Sequence, residues 1–434
     1  MDKQNISRAF RKIPPLVWII IILLVLMVLT VGRLEKREKA EGDITLYTWV
    51  PVDEERVNSE LLDEFESANP GAKVFYVNIP DANAMQKLQV MYAAGTPPDV
   101  ISLHGAYFLP FASKGMLLPL DDMVRKSDVL NTGDFYPKLV DACMYGGKLY
   151  SLPRYTSVYI LFYNRDMFDS AGISYPGNTW TWDTFLEAAK RLTGDSDNNG
   201  VIDTFGCAVD FWGGRIYPWL WQNGNDIYSS SEKECYLAEE SAVEAIQFLV
   251  DLKYRHNVTP LSLPAEYKSN VELFRVGRVG MYLSGAWEIQ NMQTGGKFRW
   301  DIAPLPKGRK RVTMLGMENY AISARTKNPE LSWKLMEFLL REETQVKMAE
   351  RMEKQPSLIE AGSKFAEMDT GYNRHVMTDA VKYGRVPDNI EKYNEVWTVL
   401  QKKLDLIWIG REQVRPAMEE AVSRINPILK GETK

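Results

Sequence analysis

The chain has 434 residues, 45% hydrophobic and 25% charged, which is enough apolar material for more than one buried core. Its net charge of −5 lacks the basic balance that a nucleic-acid partner requires. Three histidines and three cysteines (Cys143, Cys207 and Cys235), none at metal-ligand spacing, leave no set for a structural zinc site.

Residues 13–32 read IPPLVWIIIILLVLMVLTVG without one charge. A helix of that length, about 30 Å, spans the hydrocarbon core of a bilayer. Lys3, Arg8, Arg11 and Lys12 precede it, so residues 1–12 are expected as a cytoplasmic tail and 13–32 as an uncleaved transmembrane signal anchor. Residues 33–42 form a charged stalk, and everything beyond lies outside the cell. Cleavage as a secretory signal peptide is the alternative, with Thr30-Val31-Gly32 the one stretch resembling a cleavage site. An oxidising exterior permits one disulfide among the three cysteines; buried free thiols are the other reading.

Residues 43–50 alternate as a half-buried strand does, and 53–69 place Val57, Leu61, Leu62 and Phe65 at helical spacing before Pro70-Gly71. A strand over 72–79, a helix over 85–94 and a strand at Val100-Ile101 complete a doubly wound α/β lobe. A second α/β stretch opens with the apolar strand 157–164. Helices follow at 183–192 and 241–254, extended chain at 299–305, a short strand at 320–324, a helix at 328–340 and mostly helix over 387–429.

Seven motifs in order carry a resemblance: ITLYTW (44–49), FESANPG (65–71), AAGTPPDV (93–100), GKLYSLP (147–153), LFYNRDMF (161–168), WTWDTF (180–185) and GRVGMYLSGAW (277–287). The chain resembles the extracellular solute-binding proteins of ABC importers, the group that includes maltose-binding protein, from about residue 43 to near its end. The resemblance implies a two-lobe, type II periplasmic-binding-protein fold with a hinge. It implies discontinuous lobes, 43–153 plus 305–354 and 154–304 plus 355–434. It also implies a monomer that takes a small polar ligand, a mono- or oligosaccharide, into the interlobe cleft and hands it to membrane permease subunits.

Sugars offer hydroxyls to bond and ring faces to stack, so planar aromatics beside polar groups are the expected lining. Trp287, after Gly285-Ala286, matches a family position that stacks on ligand. Trp49, Asp53 and Glu54 follow the first strand. Tyr107 stands in the loop 103–108, which lacks the acid and the base that maltose-binding proteins carry there. Arg154, Tyr155 and Ser157 sit at the hinge. In the aromatic cluster 210–224, Trp212, Arg215 and Tyr217 are expected to face ligand while Trp219 and Trp221 pack. Met317, Glu318 and Asn319 follow Gly316, and Tyr393 and Trp397 cap the pocket.

The segment 195–203, DSDNNGVID, resembles a calcium loop, with Asp195, Asp197, Asn199 and Asp203 as ligands for a structural ion. Gly206 replaces its twelfth-position acid, and a metal-free turn is the alternative. No cofactor is expected, and no G-x-S-x-G, Walker loop or dinucleotide motif stands in a suitable context. The chain therefore reads as a binding protein, not an enzyme. A ligand-presenting sensor subunit and an anchored glycoside hydrolase, with carboxylates about 5–10 Å apart, are the competing classes.

Overall fold

The computed structural model describes residues 42–80, 83–196, 198–295 and 298–432, with the side chains of Asp53 and Gly213 outside the description. The expected membrane segment 13–32 lies outside these residues. Among the described residues no helix is long and apolar enough to cross a membrane. The described residues from Ile44 onward form one compact unit.

Fourteen strands occur among the described residues. They are β1 (Asp43–Thr48), β2 (Lys73–Asn78), β3 (Val100–His104), β4 (Met144–Tyr145), β5 (Lys148–Leu149), β6 (Ser151–Asn164) and β7 (Phe205–Val209), followed by β8 (Tyr228–Ser229), β9 (Glu234–Cys235), β10 (Val279–Gly285), β11 (Trp300–Ala303), β12 (Thr313–Ile322), β13 (Gln355–Pro356) and β14 (Gly384–Arg385). Ten of them join in the order β2-β1-β3-β12-β6-β10-β7, with β11 and β13 added to β6 and β14 to β12.

β6 explains how one sheet serves two lobes. From Ser151 to Val158 it runs antiparallel to β12, which in turn pairs with β3. From Tyr159 to Tyr163 it pairs instead with β10, which carries β7 in parallel. The change of partner between Val158 and Tyr159 marks the hinge. β6 is buried along almost its whole length, as a strand covered on both faces must be. It starts six residues before the expected 157, and β12 starts at Thr313 rather than near 320, because Arg154, Gly316 and Glu318 break the apolar pattern where the strands border the cleft.

The helices form where apolar spacing allows. Val57, Leu61, Leu62 and Phe65 of the helix Val52–Ala68 are all buried against the β1 side of the sheet. The helix Trp182–Leu192 starts from a capping box in which Thr181 and Thr184 satisfy each other's backbone amides. The C-terminal helices Tyr393–Trp408 and Val414–Lys430 pack with Tyr159, Leu161 and Leu283 in the second-lobe core. The helices Ile359–Glu367 and His375–Tyr383 straddle the division. Leu358 bridges Phe135 and Lys138 donates to the carbonyls of Lys382 and Gly384, while Trp300 stacks on Tyr372 at 5.3 Å.

Cys143, Cys207 and Cys235 are free and buried. Burial pushes the Cys143 and Cys235 thiols up to about 12, so they behave as small apolar groups at neutral pH.

Candidate functional site

A cavity of about 380 Å³ opens between the lobes at the hinge, within the size range of small-ligand sites. Strand ends supply its first-lobe wall. Trp49 follows β1, His104 closes β3, Glu54 opens the helix Val52–Ala68, and Met317 and Glu318 come from β12. The β12/β6 register shifts between Glu318 and Asn319. Glu318 lines the cavity, whereas Asn319 is fully buried away from it.

Charges on this wall consume one another. Arg154, 1% exposed, reaches Glu318 at 3.3 Å, Asn58 at 3.1 Å and Glu54 at 4.0 Å, and Lys354 pairs with Glu54. Glu318 also accepts from the Tyr155 hydroxyl and from Ser102 at 3.3 Å. The Arg154 guanidinium lies 5.0 Å from the Tyr155 ring centre and 5.2 Å from that of Tyr320. Burial works against the Arg154 charge, but Tyr320, Tyr155 and the two carboxylates more than offset it, and its pKa is raised. Burial, reinforced by Glu318 and Glu54, holds the Tyr155 phenol well above its ordinary range.

The second-lobe wall is built from planar rings. The backbone turns after β10 so that the Trp287 indole folds back over Gly285, where a Cβ would sit 2.0 Å from the ring. That close approach requires glycine. Trp287 is 36% exposed and Trp212 54%. Arg215 lies 4.8 Å from the Trp287 ring centre, donates to Ser284 at 2.8 Å and sits 3.7 Å from Asp210. Trp212 lies parallel to Trp397 at 6.4 Å, and Tyr217 meets Trp397 edge-on at 5.9 Å. Trp49 Nε1, Ser157 Oγ and Trp397 Nε1 are shielded from solvent without a hydrogen-bond partner among the described residues. A buried polar atom without a partner calls for one, and at a cavity a ligand or a water can supply it.

Of the expected ligand residues, Trp49, Glu54, Tyr155, Ser157, Trp212, Arg215, Tyr217, Trp287, Met317, Glu318 and Trp397 line this cavity, as does Tyr393. Arg154 stands behind the wall, anchored by carboxylates, and Asn319 is interior. Tyr107 points its ring at Tyr393 across the lobes, 5.5 Å away, instead of lining the cavity. The Asp53 side chain lies outside the description. Trp219 and Trp221 pack, at 2% and 4% exposure. The sequence reading missed His104, Thr156, Lys354, Gln355, Asp388 and Asn389, all of which line the cavity. His104 carried a usable signal, a polar residue ending an apolar strand beside a loop already singled out. Lys354 carried none, since a charged residue after a helix ordinarily reads as solvent-exposed.

In the loop 195–203 the described acidic side chains accept bonds from within the chain. Asp203 accepts from the Ser196 amide and hydroxyl and pairs with Arg278, which together hold its carboxyl below the usual range. The Asp195 carboxylate accepts from the Asn199 and Gly200 amides, and Asn199 from that of Val201. Asp197 lies outside the described residues. Among those described, no group of three or more His, Cys, Asp or Glu side chains is placed to hold a metal ion.

A family model for bacterial extracellular solute-binding proteins matches residues 53–346. A galactooligosaccharide-binding protein of Bacillus subtilis (strain 168) is 24% identical over 387 residues, which is 87% of each chain. An ABC substrate-binding protein of Listeria monocytogenes, solved in complex with cycloalternan, matches with a TM-score of 0.81 at 24% identity over 89% of this chain and 99% of that one. The GacH receptor of Streptomyces glaucescens, solved unliganded and with acarbose, matches with a TM-score of 0.78 at 22% identity over 91% and 100%. At these identities the solved structures establish the two-lobe fold.

Proposed function

The chain belongs to the bacterial extracellular solute-binding protein family, and from that premise we propose that it captures an oligosaccharide between its lobes and delivers it to the permease of an ABC importer. The single observation that carries this reading is the pair of partly exposed indoles, Trp212 and Trp287, lining the same cavity as shielded donors with no partner among the described residues. Flat faces match the apolar faces of sugar rings, and unspent N–H and O–H groups match hydroxyl oxygens. The sugars named for the Bacillus, Listeria and Streptomyces proteins agree with that chemistry.

Ligand shifts an open–closed equilibrium only through contacts made from both sides, so Trp49, whose Nε1 has no partner among the described residues, acts with Trp287, Trp212 and Arg215 across the hinge. In the proposal the lobes divide at the change of partner in β6, and the protein acts as a monomer. Arg278 serves the loop 195–203 in place of calcium. Residues 13–32 anchor the protein, with its bulk outside the cell. Amino-terminal sequencing of the mature protein tests the anchor: a retained segment is expected, and a start near Arg33 contradicts it.

A thermal-shift screen over mono- to hexasaccharides of α-1,4-glucose and β-1,4-galactose tests the function. A ligand at 100 times its Kd stabilises by about 2.7 kcal/mol, a readily visible rise in melting temperature. The oligosaccharides are expected to produce it and to be recovered uncleaved. No shift with any sugar, or hydrolysis of the sugar, overturns the reading.

A further inference from the structure

His104 ends β3 in register with Glu318 of β12 and lines the cavity beside Trp49. Trp49 and Tyr107 meet its imidazole edge-on, at 5.7 and 6.3 Å between ring centres, so the ring is held from two sides. The Ala106 amide donates to Nδ1 at 3.2 Å. An amide N–H can donate only to an unprotonated ring nitrogen, so the proton of the neutral ring sits on Nε2. Burial lowers this imidazole to about 4, and at neutral pH it carries that one proton and no charge.

Nε2 makes no hydrogen bond to a described residue. The carboxylates of the same wall are engaged elsewhere: Glu318 accepts from Tyr155, Ser102 and Arg154, while Glu54 pairs with Lys354 and Arg154. Trp49 Nε1 is likewise shielded and has no partner among the described residues. Two touching rings therefore each carry an N–H without an acceptor, and neither N–H can itself accept.

We propose that His104 is a specificity-determining residue: locked as the Nε2–H tautomer by the Ala106 amide, it forms with Trp49 Nε1 a donor-only pair that reads a ligand hydroxyl through its oxygen lone pairs. The proposal rests on the sugar-binding function above and assigns that site a contact of fixed polarity. The hydroxyl oxygen accepts from this wall, and its own proton is donated elsewhere. A ligand without an oxygen at this point leaves shielded donors unsatisfied, which is how a built polar site rejects an analogue.

Proton–nitrogen correlation spectra of histidine-labelled protein at neutral pH test the lock without any sugar. The His104 signals, identified by their loss in His104→Gln, should report the Nε2–H tautomer. An Nδ1–H ring, or rapid exchange between the two, overturns the proposal. Calorimetry with maltose through maltohexaose and β-1,4-galactobiose through galactohexaose tests the contact. With the tightest binder, His104→Phe, which keeps a flat ring and loses both nitrogens, should weaken affinity about tenfold or more. His104→Gln, whose amide can donate, should recover part of that loss. Among monodeoxy analogues of the same sugar, the one lacking the contacted hydroxyl should weaken wild type by about as much and His104→Phe no further. Saturation with that sugar should also shift the His104 Nε2 resonance. Wild-type affinity in His104→Phe, losses that add for every analogue, or an Nε2 resonance unmoved by sugar overturn the donor role and leave the sugar-binding function standing. Absence of binding in both series overturns both.

Discussion

On the first-lobe wall, Arg154 and Lys354 neutralise Glu54 and Glu318, and Glu318 accepts from Tyr155, whereas the second-lobe wall leaves Trp212 and Trp287 about half and a third open. The difference separates two jobs that one constellation cannot do well. A buried charge network is costly to disturb, so it fixes the hinge strands β6 and β12 in one arrangement. A planar face retains its area until a ligand covers it, so its burial is reserved for binding. Polar residues at a cleft are therefore not equivalent evidence of ligand contact: those already neutralised hold the frame, and those left open read the solute.

The largest expected effect comes from breaking the first wall. Arg154→Met leaves Glu54 and Glu318 short of their shared cation and should cost about 3–5 kcal/mol of stability in denaturant unfolding. Glu318→Gln, which keeps an acceptor for Tyr155, should cost markedly less. Equal stability of Arg154→Met and wild type would show that the charges are not coupled. Gly285→Ala attacks the second wall from beneath, since its Cβ would displace the Trp287 ring. Affinity should fall by about 1–2 kcal/mol with a smaller change in melting. If Gly285→Ala melts early and binds normally, the ring is packing, not ligand surface.

Acid sharpens the comparison further. Burial lowers the His104 imidazole from 6.5 to about 4. The unfolded chain then binds the proton more readily, so this group's contribution is complete above pH 6.5 and is lost as pH falls toward 4. His104→Gln should flatten the stability profile in that window by roughly 1–2 kcal/mol, and an unchanged profile would contradict the burial. The smallest effect is expected at the loop 195–203, where melting in calcium and in chelator should coincide because Arg278 already neutralises Asp203. A higher melting temperature in calcium would restore a metal to the loop.

Much of the fold was legible because helices and strands with one buried face carry a period. The helix spanning Val57 to Phe65 and the strand around Leu46 are examples. β12 was legible only at its apolar end, since Gly316 and Glu318 serve the cleft and not the core. Trp287 was expected from the family position it matches and Trp212 from the aromatic cluster 210–224, and both line the cavity. Arg154 could not be assigned correctly, since which face of a buried strand meets solvent is decided by Glu54 and Glu318, distant in sequence. Tyr107 was misplaced for a related reason: its partner, Tyr393, comes from the far end of the chain.

Trp287→Ala, measured by calorimetry with the tightest-binding oligosaccharide alongside thermal melts, tests the division of labour most directly. The ring is partly exposed at the cleft, so affinity should fall by about 1–3 kcal/mol, roughly 5- to 150-fold, while the melting temperature stays close to that of wild type. Unchanged affinity together with a large loss of stability would make the second wall a core surface and contradict its role as the ligand face.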